Sequence, residues 1–157
     1  MEMRAVYAAC LAELMEKDKH VVILDADLGK ASGTLGLRAK FPEQSFDCGV
    51  AEQDMASIAA GLSSYGFKPW IESFTPFATR RICDQVAISI SYAKRNVKIV
   101  GTDPGMYAEL NGGTHMSFED IAVVCMTSYG GRGENFRPSS FARVRICVPG
   151  STLRDSI

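Results

Sequence analysis

The 157-residue sequence predicts an α/β domain built on a mostly parallel sheet with helices on both faces. Three observations carry that prediction. Short apolar runs rich in β-branched residues recur along the chain, each is followed by a stretch of helical spacing, and no dipeptide signals a tight hairpin. The length suits one domain with a real core.

Met3 to Lys17 has Val6, Cys10, Leu11, Leu14 and Met15 at three- and four-residue steps, an amphipathic helix. His20 to Asp25 reads as a buried strand. Asp27 to Gly36 reads as a loop leading into a short helix that Pro42 interrupts. Phe46 to Val50 is a second strand, feeding a helix over Ala51 to Tyr65 with Met55, Ile58, Ala59 and Leu62 as its inner side and Gly66 as its stop. Lys68 to Ser73 is a third strand. Thr79 to Lys94 reads as one long helix with Ile82, Val86 and Ile90 inward. Val97 to Thr102 is a fourth strand, followed by a glycine-rich loop to Thr114. Met116 to Cys125 reads as a short helix running into a strand. Thr127 to Ser140 lacks periodicity and is rich in turn formers, and Phe141 to Val148 could form one more strand. The expected organisation is therefore a domain over residues 1–126 and an atypical tail over 127–157, irregular or truncated.

Composition narrows the function classes. A net charge of −1 gives no basic excess, so neither nucleic acid nor an anionic membrane surface is an expected partner. The five cysteines show no metal-ligand spacing and read as buried thiols of a reducing cytosol. With no leader pattern and no apolar run long enough to span a bilayer, the expectation is a cytoplasmic protein. Gly131-Arg132-Gly133 opens like a dinucleotide fingerprint, but Phe136 stands where the third glycine belongs. No Walker lysine, HExxH or GxSxG motif is present.

In a parallel sheet, ligands bind beyond the carboxyl ends of the strands, so the loops at 25–36, 48–54, 73–79 and 102–115 hold the candidates. Glu52 sits in the first turn of a helix directly after a strand. Position alone reads it first as an acid complementing the helix dipole and second as a site acid. Phe74 and Phe77, stiffened by Pro76, are two core residues or an aromatic clamp for a flat ring. His115 ends the long loop and either satisfies a local hydrogen bond or contacts a ligand.

The run Asp47-Cys48-Gly49-Val50-Ala51-Glu52-Gln53 closely resembles the segment of transketolase-like enzymes that carries their cofactor-activating glutamate. Ala26-Asp27-Leu28, Ser73-Phe74-Thr75-Pro76-Phe77, Asp84-Gln85 and Gly113-Thr114-His115 follow in the family's order, so the likeness covers residues 3–124. It is strongest to the C-terminal subunit of split transketolases. The resemblance implies a thiamine diphosphate-binding fold of the pyrimidine type and a transferase that moves a two-carbon ketol unit between sugar phosphates, as in the pentose phosphate pathway. It implies Glu52 as the acid on N1′ of the aminopyrimidine, where a positioned carboxyl group promotes the tautomer needed to deprotonate the thiazolium. It implies Phe74 and Phe77 as the wall of the pyrimidine pocket, with Asp27 near the cofactor, and His115 as a catalytic and substrate contact.

Departures from the family pattern fall at the substrate end. Asp103 replaces a histidine at the start of the long loop, Asn111 replaces an acidic residue, and Arg80 replaces the third pocket aromatic. Asp103 and Asn111 remain expected substrate contacts. No GDG motif occurs, so the resemblance implies a partner, the N-terminal-section subunit, that holds the diphosphate and Mg²⁺ in a homo- or hetero-oligomer. No metal ligand is expected on this chain. The same motifs fit a related thiamine enzyme, such as 1-deoxyxylulose-5-phosphate synthase or a 2-oxoacid dehydrogenase β subunit, or a non-catalytic truncated subunit.

Overall fold

The computed structural model describes residues 2–128 and 144–146. Its elements are α1 (Met3–Lys17), β1 (Val21–Asp25), α2 (Gly29–Ser32), α3 (Leu35–Lys40), β2 (Ser45–Asp47), α4 (Glu52–Ser64), β3 (Lys68–Phe74), α5 (Thr75–Ala78), α6 (Cys83–Gln85), β4 (Lys98–Thr102), α7 (Asp120–Ser128) and β5 (Val144–Ile146). The strands form one parallel sheet in the order β2-β1-β3-β4-β5. The chain winds outward from β1 to β2, then crosses back to β3, so the topological switch lies between β1 and β3.

Alternation along β1 sends its side chains to two cores. Val22 and Leu24 join Met55, Ala56 and Ala59 of α4, with Ile71, Ile82, Val86 and Ile90. Val21 and Ile23 face the other way, onto Leu11 and Met15 of α1 and onto Leu37 and Phe41. Helices thus cover both faces, as the sequence predicts. Among the described residues, no helix is long and apolar enough to cross a membrane.

Several expectations change. On α1 only Leu11 and Met15 are fully covered, with Tyr7 packed beside them, while Leu14 and Cys10 are exposed. The row Tyr7–Leu11–Met15, with Ala12 beside it, meets this core, a narrower face than the apolar spacing suggests. On α4, Ile58 is exposed and the alanines Ala56, Ala59 and Ala60 are buried, because small side chains let the helix lie close to β3. Cys48 and Cys83 are half-buried and Cys125 is exposed, so none of the four described cysteines is the buried thiol expected. The 27–36 loop contains the one-turn α2, and residues 116–125 lead into α7 rather than into a strand. Cys147, the Gly131-Arg132-Gly133 pattern and the tail apart from the end of α7 and β5 lie outside the described residues.

The expected long helix over 79–94 is broken. Pro76 opens the one-turn α5 directly after β3. Thr79 leaves the helical region at φ −123°, ψ −85°, and its hydroxyl lies 2.7 Å from the Thr75 carbonyl and 3.0 Å from Asp120 Oδ1. A 3₁₀ turn over Arg80–Ile82, α6 and a π-helical stretch over Val86–Tyr92 follow. Ile82, Val86 and Ile90 still point inward, as expected.

Two packing constraints sit beneath the carboxyl ends of the strands. The Thr75 hydroxyl donates to the Thr102 carbonyl at 2.8 Å, and a Cβ on Gly101 would lie 2.8 Å from that hydroxyl oxygen and 3.1 Å from Thr75 Cα. Only glycine allows this approach, and it seats the Phe74–Phe77 turn against β4. Glu72, beside Asp25 in the sheet register, is fully buried, with the Thr34 hydroxyl donating to its carboxylate. Burial first, and the Asp25 charge second, push its carboxyl up to about 7, against the pull of the Thr34 and Tyr7 hydroxyls.

Gly101→Ala should cost about 1–3 kcal/mol in urea unfolding, because Thr75 must move. Glu72 binds a proton in the folded state that it releases in the unfolded state between its ordinary value of 4.5 and about 7. Stability from this group is therefore present at low pH and falls as pH rises through that window. Glu72→Gln should gain about 2–3 kcal/mol on the parent between pH 5 and pH 8, read from urea midpoints at both values.

Candidate functional site

The site residues lie where the strands end. Glu52 is the first residue of α4, placed by a short turn from β2 in which Gly49 takes φ +69°. Asp47 organises that turn, its Oδ1 accepting from the Gly49 amide at 2.9 Å and from the Asp27 amide at 3.0 Å. These bonds, with Arg38 at 3.2 Å, hold the Asp47 carboxyl below the usual carboxylate range, the Gly49 amide contributing most. Arg38 also reaches Asp25 Oδ2 at 2.8 Å, and Asp25 Oδ1 accepts from the amides of Leu28 and Gly29. One guanidinium and four amides thereby lock the loops after β1 and β2 together.

Glu52 is 3% exposed, and Arg81 Nη1 donates to its Oε1 at 2.8 Å. The sequence reading missed Arg81. No local signal singles it out: Arg80 and Arg81 are neighbours in the chain, and only the fold sends one to Glu119 and the other to Glu52. The Arg81 guanidinium also lies over the Phe77 ring, its Cζ 3.8 Å from the centroid, a cation–π contact. Its backbone is tied to α4, Gln53 Nε2 donating to the Arg81 carbonyl at 3.2 Å.

The aromatic pair is real and extends to the histidine. Phe74 and Phe77 have centroids 6.2 Å apart, and His115 packs edge-on against both, at 5.6 Å and 5.0 Å. Phe74 is buried and Phe77 half-buried, so the first is also a core residue while the second presents a ring to the rim. His115 closes a 3₁₀ turn over Gly113–His115, with Nδ1 2.9 Å from the Thr114 hydroxyl. Arg80, at the place of the third aromatic, does not join the ring cluster. It pairs with Glu119 at 2.8 Å and donates to the Thr114 carbonyl at 3.2 Å, anchoring the histidine turn.

The remaining candidates share the rim without joining this cluster. The contacts from Glu52 to His115 run through Arg81, Phe77 and Phe74 and do not pass through Asp27, Asp103 or Asn111. Asp27 is exposed, with a left-handed φ of 60° after β1. Asp103, at φ 50° after β4, has its carboxyl raised by burial, opposed by Arg4. Asn111 is exposed on a 3₁₀ turn over Glu109–Asn111. Among the described residues, no three His, Cys, Asp or Glu side chains are grouped to hold a metal ion.

A buried acid, a phenylalanine face already accepting a planar cation, and an adjacent histidine suit a flat, nitrogen-bearing ring. Comparison with known proteins points the same way. The family model described as the transketolase pyrimidine-binding domain matches residues 1–149. The chain is 50% identical over 157 residues to a 6-deoxy-6-sulfo-D-fructose transketolase subunit of Clostridium sp., covering 98% of this chain and 47% of that one. It is 38% identical over 122 residues to an apulose-4-phosphate transketolase subunit of Phocaeicola vulgatus, covering 77% and 39%. The solved structure of a split-gene transketolase, an inactive β4 tetramer, superposes with a TM-score of 0.65 at 39% identity, over 76% of this chain and 38% of that one. The chain thus spans less than half the length of these relatives. Fold, motif order and kinship agree: this chain belongs to the transketolase pyrimidine-binding domain family.

Proposed function

We propose that this chain is the pyrimidine-binding part of a transketolase that moves a two-carbon ketol unit between sugars carrying a terminal anionic group, phosphate or sulfonate. The observation that carries the reading is the contact chain from buried Glu52 to His115 through Phe77 at the carboxyl ends of the strands. The names of the related subunits supply the substrate class: one acts on a sulfonated ketose and another on a phosphorylated one. In this reading the diphosphate and Mg²⁺ are held by a partner chain, the N-terminal-section subunit, and the active unit is an oligomer.

Thiamine diphosphate supplies the carbanion chemistry when bound. Glu52 shares a proton with N1′ of the aminopyrimidine, and its burial keeps water from competing for that proton. Phe74 and Phe77 form an apolar wall that orients the ring. His115, resting on both rings, meets the sugar at the mouth, where Asp103 and Asn111 line the long loop as further substrate contacts. Asp27 stands at the β1 end of the same rim.

Glu52→Gln should lower the turnover of ketol transfer by about 10²- to 10⁴-fold in the assembled enzyme, the range for a positioned acid–base group. Full activity in that variant would remove the role. A panel of xylulose 5-phosphate, 6-deoxy-6-sulfofructose and pyruvate, each with an aldose acceptor, tests the substrate class. Transfer from either anionic ketose is the expected result, and carbon dioxide release from pyruvate would instead indicate a decarboxylating relative.

A further inference from the structure

Arg81 bridges the two features that a bound ring needs. Its planar guanidinium sits over Phe77, with Cζ 3.8 Å from the ring centroid, and donates at 2.8 Å to Glu52 Oε1. A ring held by Glu52 and laid against Phe77 would be planar, would share a proton with the same carboxylate and would stack on the same side chain. We infer that Arg81 is an internal occupant of the pyrimidine site, displaced when the cofactor ring enters.

The inference rests on the cofactor reading above, and it explains why the occupant is an arginine. Glu52 is almost wholly covered, and a buried carboxylate without a partner is strongly disfavoured. Before the ring arrives, something must satisfy it. A guanidinium does so and also covers the exposed face of Phe77, in the way a heteroaromatic ring would. The exchange is feasible because the Arg81 side chain is 41% exposed, while its backbone stays fixed by Gln53. Leaving, the guanidinium returns to water rather than to a second buried position. On entry of the ring, Glu52 takes up one proton from solvent as the guanidinium leaves and shares that proton with the ring nitrogen, so the carboxyl group keeps a partner.

An internal competitor weakens apparent binding by the fraction of molecules in which it has vacated the site. Removing it should therefore tighten cofactor binding, the reverse of what loss of a true cofactor contact does. Calorimetric titration of thiamine diphosphate with Mg²⁺ into the full chain assembled with its diphosphate-binding partner tests this. Arg81→Met keeps apolar cover on Phe77 and should lower Kd by about fivefold or more, with Arg81→Lys between it and the parent. Without cofactor, the Arg81→Met assembly should melt below the parent, and saturating cofactor should shrink that gap, because Glu52 regains a partner. A Kd in Arg81→Met equal to or weaker than the parent's overturns the inference, since the arginine would then be a bystander or a permanent contact. If Arg81→Met does not assemble, Arg81→Lys decides: a Kd at or above the parent's overturns it. Binding by the parent without tightening in the variants removes only the occupant role. Absence of cofactor binding in parent and variants alike removes the cofactor reading as well.

Discussion

A buried carboxylate must have a partner, and this constraint organises the carboxyl-terminal edge of the sheet. A parallel sheet ends all its strands on one side, so the acids that follow them gather there. Asp25 is held by Arg38 and two amides, and the exposed Asp47 beside it is tied to the same Arg38 and two more. Glu72 is met by Thr34 and Tyr7, and Asp120 by Ser117 and Thr79. Glu52 differs from these in what holds it. Arg38 is as exposed as Arg81, but Asp25 and Asp47 are each also fixed by two backbone amides, whereas Glu52 is met by the half-exposed Arg81 side chain. The other acids are cross-linked into the framework, whereas Glu52 has a partner that can be exchanged.

The break at Thr79 connects this electrostatic arrangement to the backbone. A continuous helix from residue 75 to 92 would have projected Phe77 and Arg81 along one regular face. Thr79 instead leaves the helical region, and the chain restarts in a 3₁₀ turn. Phe77 stays on the short α5, pressed to β4 by the Thr75–Gly101 contact, while Arg81 comes from the next segment and folds over the ring. The same irregular stretch places Arg80 against Thr114 and so sets the histidine turn. The aromatic wall, the acid's partner and the histidine are thus positioned by one interrupted helix.

The part of the rim proposed to meet the substrate is built differently. Asp103 and Asn111 ride on a loop of short turns rather than on the sheet, with Asp103 in a left-handed conformation immediately after β4. Such loops vary among members of a family while the framework beneath persists. Relatives named for a sulfonated and for a phosphorylated ketose fit that division.

What the sequence by itself determined was the parallel α/β framework and the order of its parts. Alternating apolar strands and helices are local patterns, as is an acid at a helix start, and local patterns need only neighbours in the chain. Motif order likewise brought Glu52, Phe74, Phe77 and His115 forward as candidates, although spacing alone left each of them open. Tertiary structure decided what spacing could not. It chose the Tyr7–Leu11–Met15 side of α1, with Ala12, and the alanine face of α4, because close packing on the sheet admits only what fits. It broke the 79–94 helix, because Thr79 and Asp120 meet across 41 positions of chain. It joined Arg81 to Glu52, because a charge removed from water takes whichever counter-charge the fold brings near, and no periodicity records which one that is.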